Sequence, residues 1–421
     1  MERGLWPQRQ WWYERLVTRL KDKRILLGVS GGIAAYKSPE IVRRLKDAGA
    51  DVHVIVTTAG AKFVSTLSLE VVSGHPVGQN LWATDAQSQI VHTALGKEVD
   101  LILLAPATAN LIARVSHGFA DDLLSTTIMA CTTPVLLAPS MNTDMLNNPI
   151  VQRNLARLTE DPRYRILAPD AGSLACGVVG PGRLPDPSTI ISAAAAALTE
   201  KTLAGRRITI SAGPTREAID PVRYLTNPST GTMGFALAES FAARGAYVSL
   251  IAGPVALPTP YGVAERHDVT TAAEMKAAVV SAWEATDVLL MSAAVADYRP
   301  ETARAQKIKK DDGPRSIPLT RTDDVLAWTR DAPGRTQRTV IGFAAETERL
   351  EAHAAGKIVS KGLDWIVAND VSQPGAGFGT GDNTGLLLGR DGSRLVLARQ
   401  DKAAFAEQIV KHLEAAWGRS A

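Results

Sequence analysis

Short runs of Val, Ile and Leu recur along the chain, separated by stretches whose apolar residues return every three or four positions. Arg24 to Val29 (RILLGV) opens the series, and a helix follows with Ile41, Val42 and Leu45 on one face. Val52 to Val56, a helix around Leu67 to Val72, Val99 to Ala105 and Pro134 to Ala138 continue it. Strands that are apolar at every position and alternate with helices predict a parallel sheet covered on both faces. From Thr189 to Gly205 an Ala-rich helix (TIISAAAAALTEKTLAG) reads as a linker or as the last helix of a first domain.

The rhythm then restarts. Arg206 to Ser211 reads as a strand that breaks into a long loop of Gly, Pro, Asn, Ser and Thr. A helix begins near Thr232 and carries Phe235, Leu237, Ala238 and Phe241. Tyr247 to Ile251, a helix from Ala272 to Trp283, Asp287 to Met291, Thr339 to Phe343 and Asp364 to Val367 follow. TGLLLG and SRLVLAR flank Arg390-Asp391-Gly392 as a closing hairpin. The pattern predicts an α/β protein of two doubly wound, Rossmann-like domains, the second ending in an antiparallel hairpin.

In such sheets ligands bind beyond the C-terminal ends of the strands. Ser30-Gly31-Gly32, Thr57-Thr58, Pro106-Ala107-Thr108-Ala109-Asn110 and Pro139-Ser140-Met141-Asn142 fall there in the first half. SGGIAAYK lacks the GxGxxG spacing of a dinucleotide fingerprint, and a Ser-Gly-Gly turn is more often just a tight connection. The Thr108 hydroxyl and the Asn110 amide add donors where a single phosphate would sit, so the group suggests a mononucleotide. The loop from Ala212 to Gly231 has the same logic: a strand opens into small polar residues ahead of a helix N-terminus, which suits a second anionic ligand.

Length and composition narrow the classes. A chain of 421 residues holds two or three domains, and a hydrophobic share of 45% with 21% charged residues is ordinary for a globular protein. Net charge is only +3, from 46 basic and 43 acidic residues, so no nucleic-acid partner is expected. No apolar run approaches the roughly 18–20 residues of a membrane span. The two cysteines, Cys131 and Cys176, form no disulfide framework and fit a cytoplasmic protein. Residues 1–22 carry Trp6, Trp11 and Trp12 and lack the apolar stretch of a secretory signal. They read as a docking extension, with an overlong start as the alternative.

Three residues of the first half invite chemistry. His92 precedes the Val99 strand, although a lone histidine is more often structural. Asn142 stands where capping a helix is the plain alternative. Cys176 lies in DAGSLACGVVGPGR, a glycine-dense stretch without apolar periodicity, which suits a mobile flap better than a core. Cys131, in LLSTTIMAC, reads as an ordinary core thiol on a helix.

SGGIAAYK, APATANLIARV with GFADDLLST, PSMNTDM and GSLACGVVGPGR, in this order, resemble the flavin-containing cysteine decarboxylases. Specifically, they resemble the N-terminal half of the bifunctional phosphopantothenoylcysteine decarboxylase/phosphopantothenate–cysteine ligases of coenzyme A synthesis. The resemblance implies a flavoprotein-type sheet with FMN bound between subunits of a trimer, at Ser30, Gly31, Gly32, Thr57, Thr108 and Asn110. It makes His92 the active-site base, Asn142 the holder of the substrate carboxylate, and Cys176 the acid on the flap. The substrate thiol would be oxidised, the carboxylate lost, and the enethiol reduced back. The family's aromatic residue after PxMNxxM is Leu146 here.

In the second half, polar clusters stand at strand ends: Arg223 with Asn227, SAAVADYRP, KIKK, GFAAET, and Lys357 and Lys361 ahead of VANDV. Each has a plain alternative, since KIKK is an ordinary solvated charge run and Lys357 and Lys361 would share a helix face. Several lysines near a phosphate-accepting loop nonetheless suit a triphosphate, and the lack of GxxxxGK[ST] excludes an ordinary P-loop. With SAGPTREAIDPVRYLTN these motifs resemble the ligase half of the same bifunctional family. The resemblance implies CTP-dependent activation of 4′-phosphopantothenate as an acyl-cytidylate, with Mg²⁺ accompanying CTP, and attack by the amine of L-cysteine. Asn227 would hold the acyl-cytidylate with Arg223 beside it, and Ala293 would line the phosphopantothenate site. Lys307 would stabilise charge from a mobile loop. Asp297 and Phe343 would meet the cytosine, and Lys357 and Lys361 the triphosphate. Ligase dimers joined to decarboxylase trimers imply a large closed homo-oligomer, such as a dodecamer. Thr232 stands where the family carries lysine, which removes a cation from the phosphate loop unless Arg216 or another lysine substitutes.

The expected organisation is an extension over 1–22, a decarboxylase domain over 23–190, a helical linker over 191–204 and a ligase domain over 205–421. Two other classes compete with this reading. A flavin-binding regulatory or scaffold protein would have no need of His92, Asn142 and Cys176 together, and all are present. A NAD(P)-dependent oxidoreductase would need GxGxxG and an acidic residue about 20 positions on, which neither half supplies. A decarboxylase joined to a ligase half disabled at Thr232 is the remaining alternative.

Overall fold

The structure is a computed structural model that describes residues 19–82, 97–174, 177–309, 316–346, 348–370 and 382–418. The chain divides into two compact units that meet in sequence at Thr199 and Glu200. Among the described residues, no helix is long and apolar enough to cross a membrane.

The first unit contains, in chain order, β1 (Arg24–Val29), α1 (Ser38–Asp47), β2 (Asp51–Val56), α2 (Thr66–Ser73), β3 (Leu101–Ala107), α3 (Ala109–His117) and α4 (Leu123–Met129). It continues with β4 (Val135–Pro139), α5 (Thr143–Asn147), α6 (Pro149–Thr159), β5 (Tyr164–Ile166), the hairpin β6 (Asp170–Ser173) and β7 (Val179–Arg183), and α7 (Pro187–Ala197). The five-stranded sheet has the order β2-β1-β3-β4-β5 and is parallel throughout. All seven residues of β3 are buried, so both faces of this strand are covered, as its unbroken apolar run requires. The Ala-rich helix corrects one expectation. It is α7, beginning at Pro187 and ending at Ala197, and it packs on α1, β3 and β4 inside the first unit's core. Its small side chains allow the close approach, and Asp186 caps it by accepting from the Ser188 backbone N–H at 2.9 Å. Cys131 lies just beyond α4, partly buried, with its sulfur 3.3 Å from the Arg163 guanidinium.

The second unit contains β8 (Arg207–Ala212), the short hairpin β9 (Arg216–Ala218) and β10 (Tyr224–Thr226), α8 (Thr232–Ala243), β11 (Tyr247–Ala252), β12 (Glu265–Asp268), α9 (Ala272–Ala282) and β13 (Val288–Met291). The pair β14 (Tyr298–Pro300) and β15 (Leu319–Arg321) follows, then α10 (Val325–Arg330), β16 (Thr339–Glu346), α11 (Leu350–Lys361) and β17 (Trp365–Asp370). β18 (Asp382–Gly389), β19 (Arg394–Asp401) and α12 (Lys402–Gly418) complete it. The order β12-β11-β8-β13-β16-β17-β18-β19 is parallel up to β17 and antiparallel through the final hairpin. This is the α/β doubly wound arrangement with a terminal hairpin that the apolar runs predict.

α8 deserves its place at the centre of this unit. Phe235, Leu237, Ala238 and Phe241 are buried against β8 and β11, and α12 covers the helix from the other side. Arg244, which ends α8, reaches Glu407 at 2.5 Å and Glu414 at 2.9 Å, both on α12. Ser240 donates to the same Glu407 carboxylate at 2.7 Å. A buried arginine is tolerated here because every side of its guanidinium meets an acceptor, including the Ser240 carbonyl. Burial opposes its charge, but the two carboxylates outweigh that and hold its pKa above the usual value.

Candidate functional sites

Each unit has a cavity beyond the C-terminal ends of its strands, at the point where the strand order reverses. In the first unit this point lies between β1 and β3, in the order that places a mononucleotide at that crevice in other doubly wound sheets. The cavity there has a volume of about 890 Å³. Ser30, Gly31, Gly32, Thr57, Thr108, Asn110 and Asn142 all line it.

The geometry separates their jobs. Ser30 is 2% exposed; its hydroxyl donates to the Pro106 carbonyl at 2.7 Å and accepts from the Thr108 N–H at 3.0 Å. It therefore staples the ends of β1 and β3, and its side chain is committed within the protein. Thr108 caps α3 by accepting from the Leu111 N–H, which leaves Asn110 exposed in the first turn of that helix. The positive end of α3 thus opens on the cavity. A Cβ on Gly31 would lie 2.3 Å from that of Ala59, so only glycine lets the first loop close against the turn after β2. Thr57 braces that turn by accepting from the Gly60 N–H at 3.0 Å. Asn142 caps α5 through Oδ1, which accepts from the Asp144 N–H at 2.7 Å.

The β6–β7 hairpin stands over this rim. Met141 N–H donates to the Gly182 carbonyl at 3.0 Å, and the Thr143 hydroxyl donates to the Pro181 carbonyl at 2.8 Å. The base of the hairpin is therefore tied to the loop that carries Asn142. Cys176 and His92 lie outside the described residues. Three cations that sequence reasoning passed over also line the cavity: Arg114, which is paired with Asp121 and Asp122, and Lys37 and Arg183. Burial, then the nearby Arg183 charge, holds the Lys37 ammonium below its usual pKa. Lys37 closes the SGGIAAYK motif, so its signal was present but hidden in a stretch read for its glycines. A helix N-terminus, the Lys37 and Arg183 cations and an apolar rim containing Tyr36 and Met145 fit the phosphate and ring of a flavin mononucleotide.

In the second unit the cavity lies where β8 and β13 part, and its volume is about 720 Å³. The 229–234 loop, Asn227, Ala293, Asp297, Phe343, Lys357 and Lys361 line it together. Gly234 is needed here: a Cβ would stand 2.5 Å from Ala212 Cβ and from Ser292 Oγ. Asn227 Nδ2 donates to the Ala294 and Val295 carbonyls, 3.2 Å each, which fixes the amide and turns Oδ1 away from them. Thr232 opens α8, and its hydroxyl shares a hydrogen bond of 2.7 Å with that of Thr230.

Both lysines of α11 are held by carboxylates. Lys357 reaches Glu346 at 2.6 Å, and Lys361 pairs with Asp324, which also caps α10. Burial raises the Glu346 pKa, but Lys357 and His353 more than offset it and hold the carboxyl below its usual value. Asp324 behaves alike: burial opposes ionisation and Lys361 restores it. Asp297 has no ion-pair partner among the described residues.

Arg223 and Lys307 do not line the cavity among the described residues. The Arg223 guanidinium donates to Asp220 at 3.1 Å and to the Ile308 carbonyl at 2.6 Å. Asp220, 3% exposed, accepts in turn from the Ile308 N–H at 3.1 Å. Arg223 thus anchors the loop that carries Lys307. Sequence reasoning also missed Asn383 and Lys402, which line the cavity at 3% and 5% exposure. Neither belongs to a motif; only the return of β18 and α12 to the sheet brings them there.

Comparison with known proteins agrees with this division. The family profile described as Flavoprotein matches residues 14–199, and that of the DNA/pantothenate metabolism flavoprotein C-terminal domain matches residues 203–416. The coenzyme A biosynthesis bifunctional protein CoaBC of Bacillus subtilis (strain 168) is 43% identical over 399 residues, covering 94% of this chain and 98% of that one. Its counterpart from Escherichia coli (strain K12) is 47% identical over 382 residues, covering 90% and 93%. The chain belongs to the bifunctional coenzyme A biosynthesis protein family. A crystal structure of the C-terminal domain of a CoaBC protein is 37% identical, covering 52% of this chain and all of that one, with a TM-score of 0.45. Within the CoaBC family frame, Leu146 is the residue in the usually aromatic place. It is buried in the first unit's core and does not line the cavity.

Proposed function

We propose that the second unit joins 4′-phosphopantothenate to L-cysteine at the expense of CTP, through an acyl-cytidylate. The first unit then decarboxylates the product, 4′-phosphopantothenoylcysteine, to 4′-phosphopantetheine with FMN. The observation that carries this reading is the match of both halves, over almost the whole length of CoaBC proteins, to a chain with a separate cavity at the strand ends of each unit. The first cavity has an apolar rim with Lys37, Arg114 and Arg183, and the second sets Lys357, Lys361 and Lys402 around a helix N-terminus.

In the ligase half, the backbone N–H groups of 229–234 receive phosphate oxygens, and Lys357 and Lys361 exchange their carboxylate partners for the triphosphate. Mg²⁺ arrives with CTP. Asp297 and Phe343 meet the cytosine. Asn227 presents its amide oxygen to the acyl-cytidylate region, and Lys307 comes to the reacting groups as its loop moves. In the decarboxylase half, Lys37, Arg183 and the N-terminus of α3 hold the FMN phosphate. FMN, when bound, would supply a two-electron acceptor that takes electrons from the substrate and returns them to the decarboxylated product within the same turnover. Asn142 donates its amide N–H to the substrate carboxylate, His92 removes a proton, and Cys176 returns one.

Ile33, Tyr36, Phe63, Leu67 and Val71 are exposed on the first unit, which supports self-association and a flavin site completed between copies. The working compartment is the cytoplasm. The experiment supplies 4′-phosphopantothenate, cysteine, Mg²⁺ and CTP, and follows CMP, pyrophosphate and CO₂ separately. Release of all three is expected. CO₂ from added phosphopantothenoylcysteine without CMP would overturn the ligase half, and CMP without CO₂ the decarboxylase half.

A further inference from the structure

At the opposite end of the first sheet from the flavin cavity, three Lewis bases converge. Asp51 and His53 stand on one face of the edge strand β2, two residues apart, and His75 comes from the loop after α2. His75 Nε2 lies 2.7 Å from Asp51 Oδ1, and His53 Nε2 lies 3.3 Å from Asp51 Oδ2. The imidazoles stack at 4.2 Å with their planes 18° apart, so both Nε2 atoms point to one carboxylate. All three donor atoms fall within 4.8 Å of one another.

The scaffold behind them is fixed. Lys46 Nζ caps α2 through the Val72 and Ser73 carbonyls at 3.0 and 2.7 Å. The Ser73 hydroxyl bonds the backbone of His75, and the Glu70 carboxylate accepts from the Val77 N–H. Gly78 then bridges to β2, donating to the Val54 carbonyl at 2.9 Å and accepting from the Val56 N–H at 3.0 Å. His75 is thus held to the strand on both sides, and the donors need little reorganisation to close on an ion.

The geometry points to a binding site for a divalent transition ion of the zinc class, with Asp51, His53 and His75 as ligands and solvent in the fourth position. Zinc–nitrogen and zinc–oxygen bonds of about 2.0–2.1 Å put tetrahedral ligand atoms about 3.3 Å apart. The His53–Asp51 Oδ2 distance already matches, while His75 meets the other carboxylate oxygen, so the Asp51 carboxylate has to turn to offer one oxygen beside both imidazoles. Two imidazoles and one carboxylate favour zinc, nickel or copper over the oxygen-seeking calcium and magnesium. Arg24 Nε lies 3.8 Å from Asp51, but Glu98 engages its other end at 3.2 Å and offsets its charge. The site begins β2 whereas Thr57 in the flavin cavity follows it, about 20 Å along the strand. The ion is therefore a brace or a sensor at the sheet edge and takes no part in the chemistry proposed above.

The test uses the untagged full chain with its flavin, stripped with chelator and titrated with Zn²⁺ by calorimetry, with Co²⁺ as a spectroscopic probe. Saturable uptake with a tetrahedral cobalt spectrum is expected. His53→Gln and His75→Gln should each weaken it by more than the ~10–100-fold that loss of an outer-shell partner costs. Asp51→Asn gives an independent variant, and retained flavin absorbance reports folding for all three. No saturable uptake by the wild type, or equal uptake by folded variants, would overturn the site.

Discussion

Lys357 of α11 places its ammonium 2.6 Å from a carboxylate oxygen of Glu346, at the end of β16. Lys357 lines the second cavity with Glu346 behind it, and Lys361 with Asp324 makes a second such pair one helical turn on. A triphosphate entering there meets lysines already positioned by carboxylates, and it displaces one anion by another. Lys357→Ala removes that receptor while the half-exposed pair itself is worth only about 0–1 kcal/mol. The KM for CTP should rise about tenfold, from one lost charge-assisted bond, with little change in melting temperature. Steady-state CMP release against CTP concentration measures it; an unchanged KM would remove Lys357 from the nucleotide site.

Asn227→Asp should disable the ligase alone. The amide donates to two carbonyl oxygens, and a carboxylate in the same position would face both with no hydrogen to offer. Loss of roughly 100-fold or more in CMP formation is expected, as for removal of a preorganised polar group, while CO₂ release from added phosphopantothenoylcysteine continues. Equal loss of both activities would point to a folding defect instead of a local one.

Thr232→Lys restores the lysine usual in the family at the first residue of α8. Two effects oppose each other. A cation in a helix's first turn costs about 0.3–1 kcal/mol against the dipole, whereas a charge-assisted bond to phosphate yields about 1.5–3 kcal/mol. The second wins once ligand is present. The variant should melt slightly lower when empty and bind its phosphate ligand several-fold more tightly, which calorimetry with CTP and with 4′-phosphopantothenate would resolve.

Asp220 gives a pH signature. Burial raises its pKa, but the N–H groups of Val222, Ile308 and Arg223, with the Arg223 charge, hold it below its ordinary 3.8. A depressed folded pKa means that its contribution is complete above the ordinary value and is lost as pH falls through the lower folded one. Acid should therefore free the loop carrying Lys307 in that window, below pH 3.8. Asp220→Asn should remove this step at every pH. Ligase activity near neutrality should fall several-fold in the variant, with decarboxylation intact. Acid unfolding followed by tryptophan fluorescence should show a shallower dependence on pH than in the wild type.

Much of the fold was legible because parallel strands are buried on both faces. Leu101 to Ala107 and Val288 to Met291 are apolar at every position, and no periodicity has to be inferred for them. The pairs β9–β10 and β14–β15 were not legible. Each strand has three residues and sits largely exposed, so neither composition nor alternation marks it, and its partner is chosen by the loops that bring it back. The cavities followed from the strand ends, where Gly31, Asn142 and Asn227 stand. What sequence could not tell was how each polar atom is used. Ser30 has the residue type of a phosphate ligand, and its hydroxyl also joins two strands; Arg223 reads as a substrate cation, and its guanidinium also anchors a loop. Lys402 carries no motif and reaches the cavity only because the chain returns through β18 and β19.

α8 behaves as a beam gripped at both ends. Its first residue lines the second cavity, and Arg244 at its other end is gripped by two carboxylates of the last helix. Under the proposed function, phosphate contacts at one end and the ion pairs to α12 at the other load the same element. Glu407 and Glu414 on the final helix then bear on the second cavity through α8.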